Sequence, residues 1–355
     1  MSSSSRCSPA AEADETMSLN LTFFGFELKP FNPTPDPRFL YLSPGHREGL
    51  AQLLYGVQEH KGFILLTGEV GTGKTTLLRT LLNRLDGHTA SAFVFDTTLP
   101  FEGLLEYILE DFGVAKPGES HVQRLIALNN FLIERRRAGQ NTVLILDEAQ
   151  NLDLHALEQI RLLSNFETET EKLLQILLVG QPELLGKLDR PELRQLKQRI
   201  GLRCRILPLT AEQTRDYIRT RLRIAGASDL GLFSDAAITR IAEYSGGIPR
   251  LINTLCDHCL MIGYADQIRR ISRAIVEETI EYFEQGERRP RKPRRPLHTW
   301  RRMLVRWGLP AAGAVLLGGI ATLAIAHRSA LQPVFDLSAA TLSDLAHAAS
   351  SFLRQ

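Results

Sequence analysis

The chain has 355 residues, of which 44% are apolar and 23% charged, so it can form two or three ordinary globular domains. Its net charge is only +2, and nine Lys or Arg against one Glu lie within residues 285–306, which leaves the rest mildly acidic. This distribution argues against a broad nucleic-acid-binding surface on the folded part. Four cysteines argue against a disulfide framework.

The first 57 residues contain a tail and a proline-rich strap. Residues 1–18 are rich in Ser and Ala and lack the apolar core of a secretory signal, so we expect them to be disordered. Prolines at 30, 33, 35 and 37 disfavour a helix and predict an extended strap with aromatic anchors. A helix is predicted from Ser43, with Pro44 at its first position. The strap either only covers the core or walls the adenine pocket of the nucleotide site that the glycine-rich text after it, at 68–75 with its Gly-Lys-Thr end, predicts.

Residues 68–75 fit the phosphate-binding pattern G-x-x-x-x-G-K-[ST]. They lie between a short apolar run, 62–66, and an amphipathic helix, 76–85, which is the strand–loop–helix context that this pattern requires. Lys74 is expected to reach the β- and γ-phosphates of ATP, and the Thr75 hydroxyl to bind Mg²⁺. The predicted nucleotide-binding residues are Gly68, Glu69, Val70, Gly71, Thr72, Gly73, Lys74, Thr75 and Thr76.

A second nucleotide signature follows, in which the apolar strand Thr142–Leu146 runs into two acidic residues. Asp147, at the carboxyl end of this strand, is predicted to hold Mg²⁺ together with Thr75. Glu148 is predicted to polarise the attacking water. Two acids after an apolar run are common, but behind a phosphate-binding loop they favour nucleotide hydrolysis.

Five strands alternate with helices along the chain, at 62–66, 92–96, 142–146, 173–179 and 202–207. This alternation predicts a doubly wound parallel sheet, in which ligands bind at the carboxyl ends of the strands. Gln181, at the tip of the fourth strand, is either the group that orients the water or a polar residue in a turn before proline.

Past Pro208 the pattern becomes helical only, with four predicted helices up to Phe283. A capping box at Thr210 opens the first of them. Arg250, at a helix start after Gly-Gly-Ile-Pro, is placed either to reach the nucleotide or to be a solvated charge. Cys256 and Cys259 form a C-x-x-C without a second pair, which favours ordinary buried thiols over a metal or redox site.

Residues 307–326 carry no charge and, at about 1.5 Å per residue, span about 30 Å, so they predict a transmembrane helix. The basic segment before them orients residues 1–306 towards the cytoplasm. The predicted domain boundaries are therefore a disordered N-terminus, 1–18; an ATPase domain, 19–208; a helical lid, 209–284; a basic linker, 285–306; a transmembrane helix, 307–326; and a short periplasmic tail, 327–355.

Together these motifs resemble an AAA+ ATPase and, over residues 21–283, the ExeA/GspA family of type II secretion pathways and their relatives in pilus and exopolysaccharide export. The resemblance rests on the text at 23–25, 30–44, 68–75, 146–152, 180–184 and 246–253. It implies an α/β P-loop fold, Mg²⁺-dependent ATP hydrolysis, and nucleotide sensing by Gln181 and Arg250. It also implies a homo-oligomeric ring, partners among envelope or secretion proteins, and a single-pass location in a bacterial inner membrane. Longer relatives carry a peptidoglycan-binding domain, for which residues 327–355 leave no room, so direct cell-wall binding is not expected.

The resemblance also implies an arginine finger, supplied to the neighbouring subunit's ATP from the helix before the fifth strand. Arg199 is the first candidate and Arg194 the second, while a surface cation at a helix end is the alternative for Arg199. Two other functions stay open at this point. One is a DNA-associated AAA+ ATPase of the origin-recognition or transposition type, and the other is a slow nucleotide-gated switch.

Overall fold

The structure, a computed structural model, describes residues 21–32, 36–85, 87–114, 120–169 and 171–285. All of these lie in one compact unit that ends at Arg288. The predicted disordered N-terminus, transmembrane helix and periplasmic tail lie outside the described residues, as does the predicted linker beyond residue 285. Within the described ranges, no helix combines the length and the apolar character that a membrane span needs.

A parallel five-stranded sheet forms the centre of the fold, and the predicted sheet is thereby confirmed. The strands are β1 (Phe63–Gly68), β2 (Thr89–Val94), β3 (Asn141–Leu146), β4 (Gln175–Gly180) and β5 (Ile200–Ile206). Their order is β2-β3-β4-β1-β5, and every pairing is parallel. The interior strands β1 and β4 are buried along their whole length, because helices cover both faces of the sheet.

The second strand begins three residues earlier than its apolar run predicts. Ala92–Asp96 was the predicted segment, whereas the structure pairs Thr89–Val94 with β3 and ends the strand before Phe95. Because β2 lies at the edge of the sheet and its first residues are partly exposed, the small polar side chains at its start are tolerated there. They left no hydrophobic signal to mark the beginning of the strand.

Helices flank the sheet and then continue alone after β5. Those around the sheet are α1 (Pro44–Gln58), α2 (Lys74–Arg84), α3 (Phe101–Asp111), α4 (His121–Arg137), α5 (Leu154–Leu163), α6 (Glu183–Leu188) and α7 (Arg194–Arg199). The four that follow are α8 (Ala211–Ile224), α9 (Asp235–Ser245), α10 (Pro249–Ala265) and α11 (Arg273–Gln285). The predicted helix starts are present, since Ser43 caps α1 and Thr210 forms its capping box with Gln213 on α8.

The strap before α1 packs into the helical part of the fold. Phe24, Phe26, Phe31 and Phe39 belong to the same buried cluster as the apolar faces of α8 to α11. The backbone N–H of Glu27 donates to the carbonyl of Ala225, 2.8 Å away. The strap is not extended throughout, because residues 21–24 are helical and Pro37–Phe39 form a 3₁₀ turn. A proline is compatible with the first position of such a turn, since its missing N–H is not needed there.

Arg221 of α8 fastens this strap from within the protein. Its side chain is 6% exposed, and its Nε donates to the carbonyl of Pro30 at 2.5 Å. Its Nη1 donates to the Tyr217 hydroxyl at 2.7 Å, and its guanidinium lies 4.9 Å from the centre of the Phe39 ring. The strap is therefore held by a buried cation as well as by its aromatic side chains.

The two cysteines of the C-x-x-C lie on the buried face of α10. Burial raises the pKa of both thiols, that of Cys259 to about 12. Cys259 Sγ lies 3.3 Å from the hydroxyl of Thr279. Both residues pack as small apolar side chains in the helical core, as the sequence favours.

Two consecutive glycines join α9 to α10, and they meet very different surroundings. Both have positive φ angles, 56° at Gly246 and 75° at Gly247. Gly247 packs backbone to backbone on Leu209, whose N–H donates to the Gly247 carbonyl at 2.8 Å. A Cβ at Gly247 would overlap the Leu209 carbonyl, whereas one at Gly246 would meet nothing within 4 Å.

This contrast predicts that Gly247→Ala destabilises the protein by several kcal/mol more than Gly246→Ala. The Gly246 variant should lose only about 1–2 kcal/mol, the cost of a left-handed alanine, while the Gly247 variant must also displace the Leu209 backbone. Denaturant unfolding of the purified protein measures both. Equal losses in the two variants would contradict this account of the contact.

Candidate functional site

Polar side chains converge at the carboxyl ends of β1 and β3 and in the first turn of α2. The Thr75 hydroxyl donates to Asp147 Oδ2, and the two oxygens are 3.1 Å apart although 72 positions separate them in the chain. Strand β4 lies between β1 and β3 in the sheet, so its own tip, Gly180 followed by Gln181, borders the same place. The structure thus brings the two predicted nucleotide signatures together.

The loop between β1 and α2 has the backbone that phosphate binding needs. Gly71 and Gly73 have φ angles of 81° and 99°, which side chains other than hydrogen rarely allow. Gly73 is the N-cap residue of α2, and no side chain of the described residues caps that helix. Its first-turn N–H groups and the positive end of its dipole are therefore directed towards a potential anion.

Lys74 folds over this loop. Its Nζ donates to the carbonyls of Gly68 and Glu69 at 2.8 and 3.1 Å. The side chain is only 5% exposed, and burial lowers the pKa of Lys74, although the charges of Glu148 and Asp147 counteract this. A cation held beside the carboxyl ends of the strands is suited to bind phosphate oxygens.

Asp147 lies at the end of β3 and is 5% exposed. Burial raises the pKa of Asp147, while hydrogen bonds from the Glu148 N–H, at 2.9 Å, and from Thr75 oppose this rise. The donor set fits Mg²⁺, because this ion prefers oxygen ligands and is usually held by one or two protein groups together with phosphates and water. Within the described ranges, no three His, Cys, Asp or Glu side chains cluster as a self-contained metal site.

Glu148 has a strained backbone that several neighbours hold in place. Its φ of 52° lies in the left-handed region, and its carbonyl accepts a hydrogen bond from the buried Thr97 hydroxyl at 2.9 Å. Burial alone would raise the pKa of Glu148. Hydrogen bonds from Gln150 and Gln181 and the charges of Lys74 and Arg250 outweigh it, so the pKa is lowered and the carboxylate stays ionised. Non-glycine residues in such conformations are concentrated at functional sites.

Two glutamine side chains hold the Glu148 carboxylate, and the sequence indicated only one of them. The amides of Gln181 and Gln150 donate to Oε2 at 3.0 and 2.6 Å. Gln181 therefore lies where the prediction expects a polar group of the fourth strand. Gln150 was not predicted as a site residue, although it lies in the text at 146–152 on which the family resemblance rests. Only its position facing β4 reveals the contact.

Arg250 approaches the phosphate-binding loop from the helical part of the fold. Its N–H donates to the carbonyl of Gly71 at 3.3 Å, and its side chain is exposed at the start of α10. A Cβ at Gly71 would come within 2.7 Å of the Arg250 Cβ. The close approach of α10 to the loop therefore depends on the glycine as well as on the arginine.

Arg199 and Arg194 lie on α7, and both are exposed. Arg199 Nη1 donates to Ser164 Oγ and Asn165 Oδ1, at 2.6 and 2.7 Å, just after the end of α5. Among the described residues, neither arginine forms a hydrogen bond or ion pair with Lys74, Asp147 or Glu148.

A mostly apolar cavity lies beside the phosphate-binding loop, between α2, the strap and α8. It is lined by Asp36, Phe39, Leu40, Tyr41, Leu42, His46, Thr72, Gly73, Thr76, Leu77, Arg79, Thr80, Asn83, Leu209, Tyr217, Arg221 and Pro249. The aromatic residues of the strap pack into the helical core, and residues 36 and 39–42 form one wall of this cavity. The strap therefore does more than cover the core, and its role in an adenine pocket stays a prediction.

His46 connects this cavity to the loop. The ring lies so that Nε2 donates to the Thr72 carbonyl at 2.9 Å while Nδ1 accepts from the Ser43 hydroxyl at 2.7 Å. It is 6% exposed, and burial lowers the pKa of His46 against the opposing effect of the Thr72 hydrogen bond. His46 was not predicted as a site residue, because a lone histidine on a helix is more often part of the core.

Comparisons with known proteins agree with this geometry. A family described as AAA domain matches residues 57–188. Over 244 residues the chain is 44% identical to general secretion pathway protein A of Aeromonas hydrophila, a match that covers 68% of this chain and 44% of that protein. The chain thus spans less than half the length of this relative. Over 106 residues it is 30% identical to an uncharacterised HTH-type transcriptional regulator of Methanocaldococcus jannaschii, covering 29% of this chain and 26% of that protein.

Solved structures share the fold at low sequence identity. The Aeropyrum pernix ORC2 protein, in ADPNP–ADP complexes, superposes with a TM-score of 0.57 at 18% identity, covering 74% of this chain and 73% of that one. The Aeropyrum pernix ORC1 protein, in complex with DNA, gives a TM-score of 0.53 at 21% identity, covering 72% and 69%. These likenesses show the fold alone.

The buried His46 predicts a pH-dependent stability. Because its folded pKa lies below the ordinary 6.5, the unfolded chain binds the proton first as the pH falls, so this residue costs stability below about pH 6.5. His46→Gln keeps an N–H donor for Thr72 but does not titrate there. We expect the variant to lose less stability than the wild type between pH 7.5 and 5.5.

Thermal unfolding across that pH range measures the difference. His155→Gln, at an exposed histidine of α5, is the matched control and should follow the wild type. Parallel curves for His46→Gln and wild type would show that His46 titrates alike in both states.

Proposed function

Because the chain is an ExeA/GspA-like AAA+ protein, we propose that it hydrolyses ATP and couples the cycle to assembly or operation of a cell-envelope export system. The observation that supports hydrolysis is that the phosphate-binding loop lies next to Asp147 and Glu148, the two acids after β3. The hydrogen bond between Thr75 and Asp147 joins them. The 44% identity to general secretion pathway protein A supports the export role.

The residues divide the chemistry between binding and proton transfer. Lys74 and the N–H groups of the loop bind the phosphates, and Thr75 and Asp147 would hold Mg²⁺. When bound, that ion neutralises charge on the β- and γ-phosphate oxygens. Glu148 accepts the proton of the attacking water, and its lowered pKa keeps it ionised for that role at neutral pH. Gln181 orients the carboxylate and the water, and Arg250 responds to the γ-phosphate from the helical part.

The adenine base is proposed to occupy the cavity beside the loop. Apolar side chains from the strap and from α2 would contact its faces, as base pockets require. Because the strap also belongs to the core of α8 to α11, a base in this cavity would contact both the sheet part and the helical part. Nucleotide occupancy would then influence how the two parts pack.

Two substitutions test the proposed hydrolysis. Lys74→Ala removes the buried cation and should abolish detectable ATP binding. Glu148→Gln keeps the shape of the side chain but not its basicity, so it should bind ATP and lose about 10²- to 10⁴-fold in kcat. Nucleotide affinity and phosphate release of the purified protein are the measurements.

Glu59→Gln, at an exposed glutamate after α1, is the control for the second variant and should behave as wild type. If Glu148→Gln hydrolysed ATP at the wild-type rate, Glu148 would not be the base.

Membrane anchoring is proposed from the sequence alone, since residues 307–326 lie outside the described residues. Their uncharged composition and the basic segment before them favour a single span in a bacterial inner membrane, with residues 1–306 in the cytoplasm. The division into an ATPase domain, 19–208, and a lid, 209–284, is likewise a proposal, and Phe24, Phe26, Phe31 and Phe39 pack with the second part. Fractionation of cells that express a chain without 307–326 tests the anchor.

Oligomerisation with a finger in trans is the third part of the proposal. Arg199 is exposed, and Ser164 and Asn165 hold its guanidinium on the outside of α5 and α7. A guanidinium fixed in this way can be presented to the ATP of a neighbouring subunit at little cost in side-chain entropy.

Mixing experiments test this finger. Arg199→Ala should lower hydrolysis by about 10³-fold or more while leaving ATP binding intact, and Arg194→Ala should turn over normally. Oligomers mixed from Arg199→Ala and Glu148→Gln subunits should regain part of the activity, because some interfaces then join an intact base to an intact finger. Normal turnover by Arg199→Ala, or mixed oligomers without any recovery, would place the finger elsewhere.

A further inference from the structure

Gln150 occupies an unusually well-defined position next to the proposed base. It belongs to the 3₁₀ turn Ala149–Asn151 that follows Glu148. Lys187 of α6 holds the backbone of this turn, since its Nζ donates to the carbonyls of Gln150 and Leu152 at 2.5 and 2.6 Å. The backbone from which the glutamine projects is therefore anchored by a half-buried cationic donor.

Both ends of the Gln150 amide are used, and each is bonded to a different strand tip. Nε2 donates to Glu148 Oε2 at 2.6 Å, at the end of β3. Oε1 accepts from the backbone N–H of Gln181 at 3.1 Å, just after β4. The amide thus has a defined orientation, because neither bond forms if its oxygen and nitrogen are exchanged.

Gly180 provides the space for this bridge. A Cβ at Gly180 would lie 2.8 Å from Gln150 Oε1, closer than side chains tolerate. The last residue of β4 must therefore be a glycine if the Gln150 amide is to reach the Gln181 N–H. The bridge joins the side chain of Gln150, in the turn after β3, to the backbone N–H of Gln181, just after Gly180 at the end of β4. It therefore depends on the register of the two strands.

We propose that Gln150 is a positioning residue for hydrolysis, which aligns the Glu148 carboxylate and couples it to the tip of β4. The inference rests on the proposed function, since it assumes that Glu148 acts on water. Gln181 binds the same oxygen, so one Glu148 oxygen is held by two amides that are themselves joined through the Gln181 backbone. A shift of the β4 tip on nucleotide binding or release would move Gln150 and therefore reorient Glu148.

A purely structural glutamine would behave differently from a positioning one. If Gln150 only stabilised the turn, its loss would lower stability and nucleotide affinity together, without a selective effect on turnover. Gln150→Ala removes both halves of the bridge. Gln150→Glu keeps an oxygen for the Gln181 N–H but replaces the amide donor by a second carboxylate that faces Glu148, so it breaks only the half of the bridge that ends on Glu148.

The experiment compares kcat, KM and ATP affinity for Gln150→Ala, Gln150→Glu, Gln181→Ala and the double alanine variant in the full-length protein. We expect both Gln150 variants to lose roughly 10- to 100-fold in kcat, as small misplacements of catalytic groups do. KM and ATP affinity should stay within about threefold, because these bonds do not touch the phosphate-binding loop. The double variant should lose less than the product of the single losses, since both glutamines act on one oxygen. Gln58→Glu, at the exposed end of α1, is the control for the same chemical change.

The outcomes separate this inference from the function on which it rests. Wild-type kcat in both Gln150 variants, with Glu148→Gln inactive, would overturn the positioning role and leave the base intact. Equal losses of kcat and ATP affinity, or single losses that multiply in the double variant, would also overturn it. If Glu148→Gln itself turned over normally, the proposed base would fail first and Gln150 would have nothing to position. If Gln150→Ala does not fold, the near-isosteric Gln150→Glu alone tests the positioning role. A loss of kcat with nearly unchanged ATP affinity would support that role, and equal losses of both would overturn it.

Discussion

The hydrogen bond between Thr75 and Asp147 marks the constraint on which the site depends. It joins the first turn of α2, the helix that follows β1, to the end of β3. Strands β1 and β3 are not neighbours in the sheet, because β4 lies between them. The bond therefore requires three strands in correct register. Burial of Lys74 and Asp147 around it is costly for charged groups and is tolerated because each is hydrogen-bonded in place.

The helical part meets the phosphate-binding loop at the start of α10. The Gly71 carbonyl accepts from the Arg250 N–H, and a Cβ at Gly71 would lie within 2.7 Å of the Arg250 Cβ. Within the helical part, the Gly247 carbonyl accepts from the Leu209 N–H, and this close packing leaves no space for a side chain at Gly247 just before α10. Such contacts place α10 against the loop with little freedom. The strap adds a second connection, since its aromatic residues lie in the core of α8 to α11 while residues 39–42 line the cavity beside the loop. A ligand in that cavity would thus touch elements from both halves of the fold.

Glu148 is one of three described non-glycine residues with a left-handed backbone, beside His60 and Gln267. Its left-handed backbone is held by Thr97 from the end of β2, and its carboxylate by Gln150 and Gln181. Groups from the ends of three strands therefore act on one residue. This explains how an unfavourable backbone conformation persists, because each neighbour offsets part of its cost. It also explains why a shift of one strand tip would move the Glu148 carboxylate.

The sequence alone determined the parallel sheet, the phosphate-binding loop and the acidic pair, because apolar runs and glycine spacing are local signals. It missed Gln150 and His46, whose partners lie 31 and 26 residues away, and it began β2 too late because an edge strand needs few apolar residues. Only the tertiary structure decided that the strap packs with the helices, that Arg199 is held by Ser164 and Asn165, and that two glutamines share one carboxylate oxygen. Those contacts depend on strand order and register, which no local pattern encodes.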